Sequence, residues 1–289
     1  MCALFFFASP ALAAACAPHD WTPASLTALK ARGFLLADAR ARAALALGLV
    51  DCLGDPDPGV RDGIAYEGLS TWMRKSELPP AQLRVLRGRL GALLNAPAGD
   101  GFAPPFAALV LAEVARTDRI APWMTPAERA TMVERAATYV TAVRDYRGYD
   151  DRAGWRHGVA HGADWLLQLA LNPRVNATQL DRIVDAAGAQ VVPAQPHAYV
   201  FGEPERLARP VLYAAQRGFR DEAAWTAWLA ALPGRIGDPG LAYRDSAWLA
   251  RRHDLLAFLQ ALYVNADASD DARFKVLLPG VTATLKSLP

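Results

Sequence analysis

Cysteine is scarce in this chain, an excess of one charge is missing, and no run of residues is long and apolar enough to read as a membrane span. Three cysteines, Cys2, Cys16 and Cys52, are too few for a disulfide scaffold, and none stands at a Cys-x-x-Cys or Cys/His spacing suited to zinc. Thirty-one Lys and Arg balance 29 Asp and Glu to a net charge of +2, which argues against a protein that works by gripping phosphate backbones. Nucleic acid is therefore not an expected partner. Past Trp21, no segment alternates apolar and polar residues over strand length, so no sheet is expected. A P-loop, a dinucleotide fingerprint and a Gly-x-Ser-x-Gly elbow are also missing, although residues far apart in sequence can still converge on chemistry.

What is present begins with an apolar, uncharged run at residues 3–15, too short to cross a bilayer and of the length of a signal-peptide core. Small residues follow at Ala11-Leu12-Ala13 and Ala13-Ala14-Ala15, where a signal peptidase cuts. No Lys or Arg precedes the run, which fits a translation start further upstream. Residues 1–15 are thus read as a signal peptide, and the mature protein as exported to the periplasm. Cys16 has two readings. As the first residue after Leu12-Ala13-Ala14-Ala15 it is close to a lipoprotein box, which would make a lipid anchor the one route to a membrane. Otherwise it can pair with Cys52 as a disulfide in an oxidising compartment.

From Trp21 onward the chain reads as helix after helix. Thr22-Pro23 and Thr125-Pro126, the latter with Glu128 three residues past the threonine, are start signals: a hydroxyl to cap, then proline where no N–H is needed. Stops stand at Gly54-Asp55-Pro56, Asn172-Pro173 and Pro233-Gly234. About ten helices of about ten to twenty residues are predicted between such signals, with short connections. Five apolar helices, at 60–73, 106–117, 157–171, 207–217 and 253–264, recur at intervals of about fifty residues, each interval holding one further helix. The expected fold is all-α, a single domain over residues 22–289 built as an α-solenoid of about five stacked helical hairpins with a concave face.

Two motifs carry a family resemblance. The segment GYDDRAGWRHGVAHGADWL at residues 148–166 resembles the signature of the bacterial family known as domain of unknown function 2785, and DPDPGVRD at 55–62, followed by Tyr66-Glu67, resembles that family's N-terminal motif. The resemblance runs from about Asp38 onward. It implies a HEAT-like repeat fold and carries no known activity.

The central segment holds the candidate chemistry. His157, His161 and Asp164 lie at i, i+4 and i+7, within a sector of about 60° on a regular helix. Imidazole and carboxylate together suit a divalent metal, with no cofactor otherwise expected; the competing reading is a buried polar network, with Gly158 and Gly162 letting a neighbouring helix approach. Trp155 joins this group as an aromatic neighbour. Arg61, Asp62 and Glu67 in the second hairpin, and His253 and Asp254 beside Arg252 in the last, are further candidates, read first as solvated ion-pair clusters on the inward face. Most of the tryptophans fall at core spacing. Two functions follow: a cell-envelope scaffold holding a peptide, protein or glycan, and, as the rival, a metal-dependent or acid/base enzyme centred on His157, His161 and Asp164.

Overall fold

Helix starts in the structure are set by side chains that satisfy the first free N–H groups. Thr22 caps α1 (Pro23–Ala31) in a capping box with Ser25, and Asp38 accepts from two N–H groups of α2 (Ala39–Leu49). The computed structural model describes residues 16–97 and 99–289, so the expected signal peptide at 1–15 lies outside the described residues. Asp57 caps the short α3 (Pro58–Val60), which runs on through a π-helical stretch, Arg61–Tyr66, into α4 (Glu67–Arg74). Next come α5 (Pro80–Leu93), α6 (Ala103–Ile120) and α7 (Pro126–Ala142), the last with the Thr125/Glu128 capping box read from the sequence. A short hairpin precedes α8 (Gly158–Ala170), and Asn176 caps α9 (Ala177–Val191). The chain closes with α10 (Glu203–Gln216), α11 (Glu222–Ala230), α12 (Ser246–Ala268) and α13 (Leu278–Ser287). Among the described residues no helix is long and apolar enough to cross a membrane.

Packing follows alternate helices. One row runs α4 against α6, α6 against α8, α8 against α10 and α10 against α12. A second row lies behind it, with α5 on α6, α7 on α8, α9 on α10, and its own contacts between α7 and α9 and between α11 and α13. The five recurrent apolar segments of the sequence are the helices of the first row. The core between the rows is continuous, and Trp72, Trp165, Trp225 and Trp248 are fully buried in it. Gly162 shows why α7 and α8 come so close: a Cβ there would lie 2.6 Å from Val140 Cγ2 and 3.0 Å from Tyr139 Cε1.

The expectation of no sheet needs one correction. Residues 149–155 form a small antiparallel hairpin, β1 (Tyr149–Asp150) with β2 (Gly154–Trp155), in register Tyr149 to Trp155 and Asp150 to Gly154. Asp150 closes it locally, its Oδ1 accepting from the N–H groups of Arg152 at 2.9 Å and Ala153 at 2.8 Å. Two-residue strands are too short for a period-two pattern to register.

Cys16 and Cys52 form a disulfide across 36 residues, with their Cα atoms 5.4 Å apart. A sulfur in a disulfide has no valence for a lipid thioether, so the two sequence readings of Cys16 exclude each other, and the structure holds the disulfide. The Cys16 N–H also donates to Asp55 Oδ2 at 2.8 Å, which ties the N-terminal arm to the turn before α3.

Candidate functional site

The hairpin delivers the chain into α8 through a residue that is not helical. His157 has φ +57° and ψ +39°, left-handed geometry that costs a non-glycine residue on the order of 1–3 kcal/mol. His157 therefore stands outside the helical frame, and the three-residue face expected for 157, 161 and 164 reduces to His161 and Asp164. Two backbone bonds fix the entry, from Arg156 N–H to Gly148 O at 2.9 Å and from His157 N–H to Arg147 O at 3.0 Å. The His157 ring stacks on Trp155 with centroids 4.6 Å apart and meets the His161 ring edge-on at 5.7 Å.

Glu203, which the sequence reading did not select, completes this corner. It opens α10 after Gly202, is 1% exposed, and holds Oε1 3.2 Å from His157 Nε2. The contact is at ion-pair distance but off the hydrogen-bond direction, so both atoms remain buried without a straight partner. Burial works to raise the Glu203 carboxyl, but contact with His157 and backbone N–H groups, Phe201 among them, outweighs it and holds the pKa low. A glycine followed by an acidic first turn and Pro204 was the signal available in the sequence.

His161 and Asp164 are each engaged elsewhere. His161 Nδ1 sits 3.2 Å from the Pro105 carbonyl and the ring lies edge-on to Phe106, while burial, with the neighbouring His157 adding to it, pushes its pKa down to about 3. It is a neutral donor at ordinary pH. Asp164 Oδ2 accepts from Arg206 Nη1 at 2.5 Å, and burial still raises its carboxyl despite that partner. Tyr66, from the π-helical stretch, is held high by burial and by the nearby Glu113 carboxylate. Among the described residues no three His, Cys, Asp or Glu side chains converge as metal ligands.

The two resemblance motifs meet in space through Arg61. Its guanidinium donates from Nη1 to Asp55 O at 3.0 Å and from Nη2 to Ala153 O at 2.8 Å, lies 2.8 Å from Asp62 Oδ2, and stacks 4.0 Å from the Phe102 centroid. Arg61 is fully buried. The solvated cluster expected at Arg61, Asp62 and Glu67 is corrected: Arg61 clamps the hairpin to the turn before α3, burial raises the half-buried Asp62, and Glu67 pairs apart with Lys30 at 2.8 Å. The cluster expected at His253 and Asp254 is corrected for Asp254 alone, since His253 is exposed. Asp254 is fully buried and accepts from Tyr199 N–H at 2.7 Å, while His253 Nε2 lies 3.3 Å from Tyr199 O. Both residues grip the backbone just ahead of Glu203.

The hairpin also exposes aromatic surface. Trp155, placed beside His157 by the sequence, is 38% exposed, Tyr149 45% and Phe201 38%. Their rings are neighbours, 5.0 Å from Tyr149 to Trp155 and 6.1 Å from Trp155 to Phe201. Gly148 is what lets Phe201 in, since its ring occupies the space a Cβ would need.

Residues 94–264 match the profile of the family described as protein of unknown function (DUF2785), over more than half of the chain. The chain belongs to that family. No curated protein and no solved structure matches it. The DUF2785 region holds the hairpin, His157, His161, Asp164, Glu203 and Asp254, while Arg61, Asp62 and Tyr66 come from outside the matched span.

Proposed function

We propose that this protein is a binding scaffold of the cell envelope, an α-solenoid of about five HEAT-like hairpins that presents a ligand surface along and at the edge of its first helix row. The row α4, α6, α8, α10, α12 is continuous, whereas α5 and α7, or α9 and α11, lack comparable contact. Closer spacing on one side of a stack curves it toward that side, so this row is read as concave. The observation that carries the binding reading is the aromatic group Tyr149, Trp155 and Phe201, left exposed on a hairpin that Arg61, Asp150 and the α8 entry hold rigid. Exposed aromatics on a rigid support supply contact area at low entropic cost.

Export is part of the same reading. A Cys16–Cys52 disulfide persists in an oxidising compartment, which supports a signal peptide at residues 1–15 and a periplasmic mature form. The rival enzyme, centred on His157, His161 and Asp164, draws support from the strained His157 and the raised Asp164, yet His161 and Asp164 are occupied by Pro105 and Arg206.

Co-sedimentation with the envelope fraction of the producing cell tests the scaffold. The mature protein should pellet with that fraction and Tyr149→Ala/Phe201→Ala should remain in solution. Equal partition of the two proteins would sink the reading.

A further inference from the structure

Resting on that binding reading, we infer that the ligand is a neutral glycan whose sugar ring docks on Trp155 and whose hydroxyls reach the polar groups beside it. The first observation is the shape of the platform. Tyr149 and Trp155 are cross-strand partners on one face of the hairpin, and Phe201 stands edge-on beside them. One face of the Trp155 indole is covered by the His157 ring, so the side chain is fixed in place while more than a third of it meets solvent. The axial C–H face of a pyranose is flat, apolar and slightly electropositive, and complements such an indole face.

The second observation is charge. Behind the platform three arginines are engaged: Arg61 faces Asp62, Arg206 faces Asp164, and Arg156 donates to Asp100 O at 2.9 Å while stacking on Phe102. Glu203 Oε1 lies against His157 Nε2, and His161 carries no charge at ordinary pH. The buried groups behind the platform thus offer no unengaged charge to a phosphate, a sulfate or a charged peptide end, and Arg152, which has no acidic partner among the described residues, lies exposed in the hairpin turn. Paired carboxylate and guanidinium groups, however, retain spare acceptors and donors, and a hydroxyl can use both at once. Asp62 is the clearest case, a side chain about one-third exposed that lies against the Arg61 nitrogen bonded to hairpin residue Ala153.

The third observation is rigidity without satisfaction. His157 Nε2 and Glu203 Oε1 are buried without straight hydrogen bonds directly behind Trp155. A left-handed His157 and a π-helical Arg61–Tyr66 are costly local geometries that both border this corner. Proteins retain such geometry where side chains must be aimed.

Isothermal titration calorimetry of the full mature chain with cellohexaose, maltohexaose and chitohexaose, and with an uncharged hexapeptide pool as comparison, tests the inference. At least one oligosaccharide should bind, Trp155→Ala should weaken it roughly tenfold or more, and Trp155→Phe should restore most of the loss. Binding of no oligosaccharide, or sugar binding indifferent to Trp155→Ala, overturns the inference. Peptide binding that is lost in Trp155→Ala overturns the glycan class and leaves the scaffold standing. Cleavage of a bound oligosaccharide, followed by chromatography and abolished in Asp62→Asn, keeps the glycan and overturns the scaffold in favour of an enzyme.

Discussion

The two ends of the central helices carry buried polar clusters of opposite character. At the C-terminal end of α6, Asp118 accepts from the N–H groups of Trp123 at 3.0 Å and Met124 at 2.7 Å, from Arg129 Nε at 2.9 Å and from Asn172 Nδ2 at 2.9 Å. Close by, past the end of α8, Arg217 clips four carbonyls, those of Ala170, Asn172, Pro173 and Val175. Every charge there holds two loops in place, and Asp118, although burial opposes it, is held below the ordinary carboxylate range by Arg129 and the backbone N–H groups. At the N-terminal end of α8 the carboxyls of Asp62, Asp164 and Asp254 are raised, and His157, Glu203 and Asp254 keep atoms without straight partners. A saturated network has only its structure to maintain. An unsaturated one, kept at a cost, is where a ligand can be met.

That contrast breaks most directly at its saturated end. Asp118→Ala should destabilise the fold by roughly 3–5 kcal/mol, because Arg129 is left buried and unpaired; a urea melt measures it, and a loss under about 1 kcal/mol would show the cluster to be solvated. Removing the disulfide in Cys16→Ser/Cys52→Ser should cost about 2–4 kcal/mol for a loop of this length while leaving both clusters intact, read by the same melt.

Asp118 and Asp254 should also titrate in opposite directions. Asp118 has a lowered pKa, so its contribution is present above the unfolded value and is lost as pH falls through the folded one. Asp254 is raised from 3.8 to about 7, chiefly by burial. Its folded form keeps a proton that the unfolded chain gives up, so its stabilisation is full below 3.8 and fades as pH climbs toward about 7. Asp254→Asn should therefore flatten the stability profile between pH 4 and 8, an effect on the order of a few kcal/mol at most. An unchanged slope would place the titration on another group.

Smaller effects sharpen the picture. Gly162→Leu should cost roughly 1–3 kcal/mol by overpacking against Val140 and Tyr139. Trp155→Ala should cost about 1 kcal/mol or less in stability because the ring is partly in solvent already, and its loss should be seen in ligand binding. A larger stability loss would move Trp155 from the platform into the core.

Caps and stripes were legible before any coordinates. Thr125 with Glu128, and the five apolar segments that became the first row, depend on neighbours within a few residues, and such local chemistry is written in spacing. The candidate site was legible in part. His157, His161, Asp164, Trp155, Arg61 and Asp62 do gather at one corner, but their roles were not readable: the left-handed His157 depends on the hairpin bonds behind it, and the burial of Arg61 and Asp254 on loops 92 and 55 residues away. Glu203 and Arg206 drew no notice, since an acid at a helix start and an arginine one turn on are ordinary surface choices until another helix is laid against them. Sequence alone thus determined which segments are helical and which faces are apolar, because 3.6-residue periodicity and capping are local. Only the tertiary structure decided which charges were desolvated, which were paired and which aromatics stayed in water, because those properties belong to the contacts between elements and not to any element by itself.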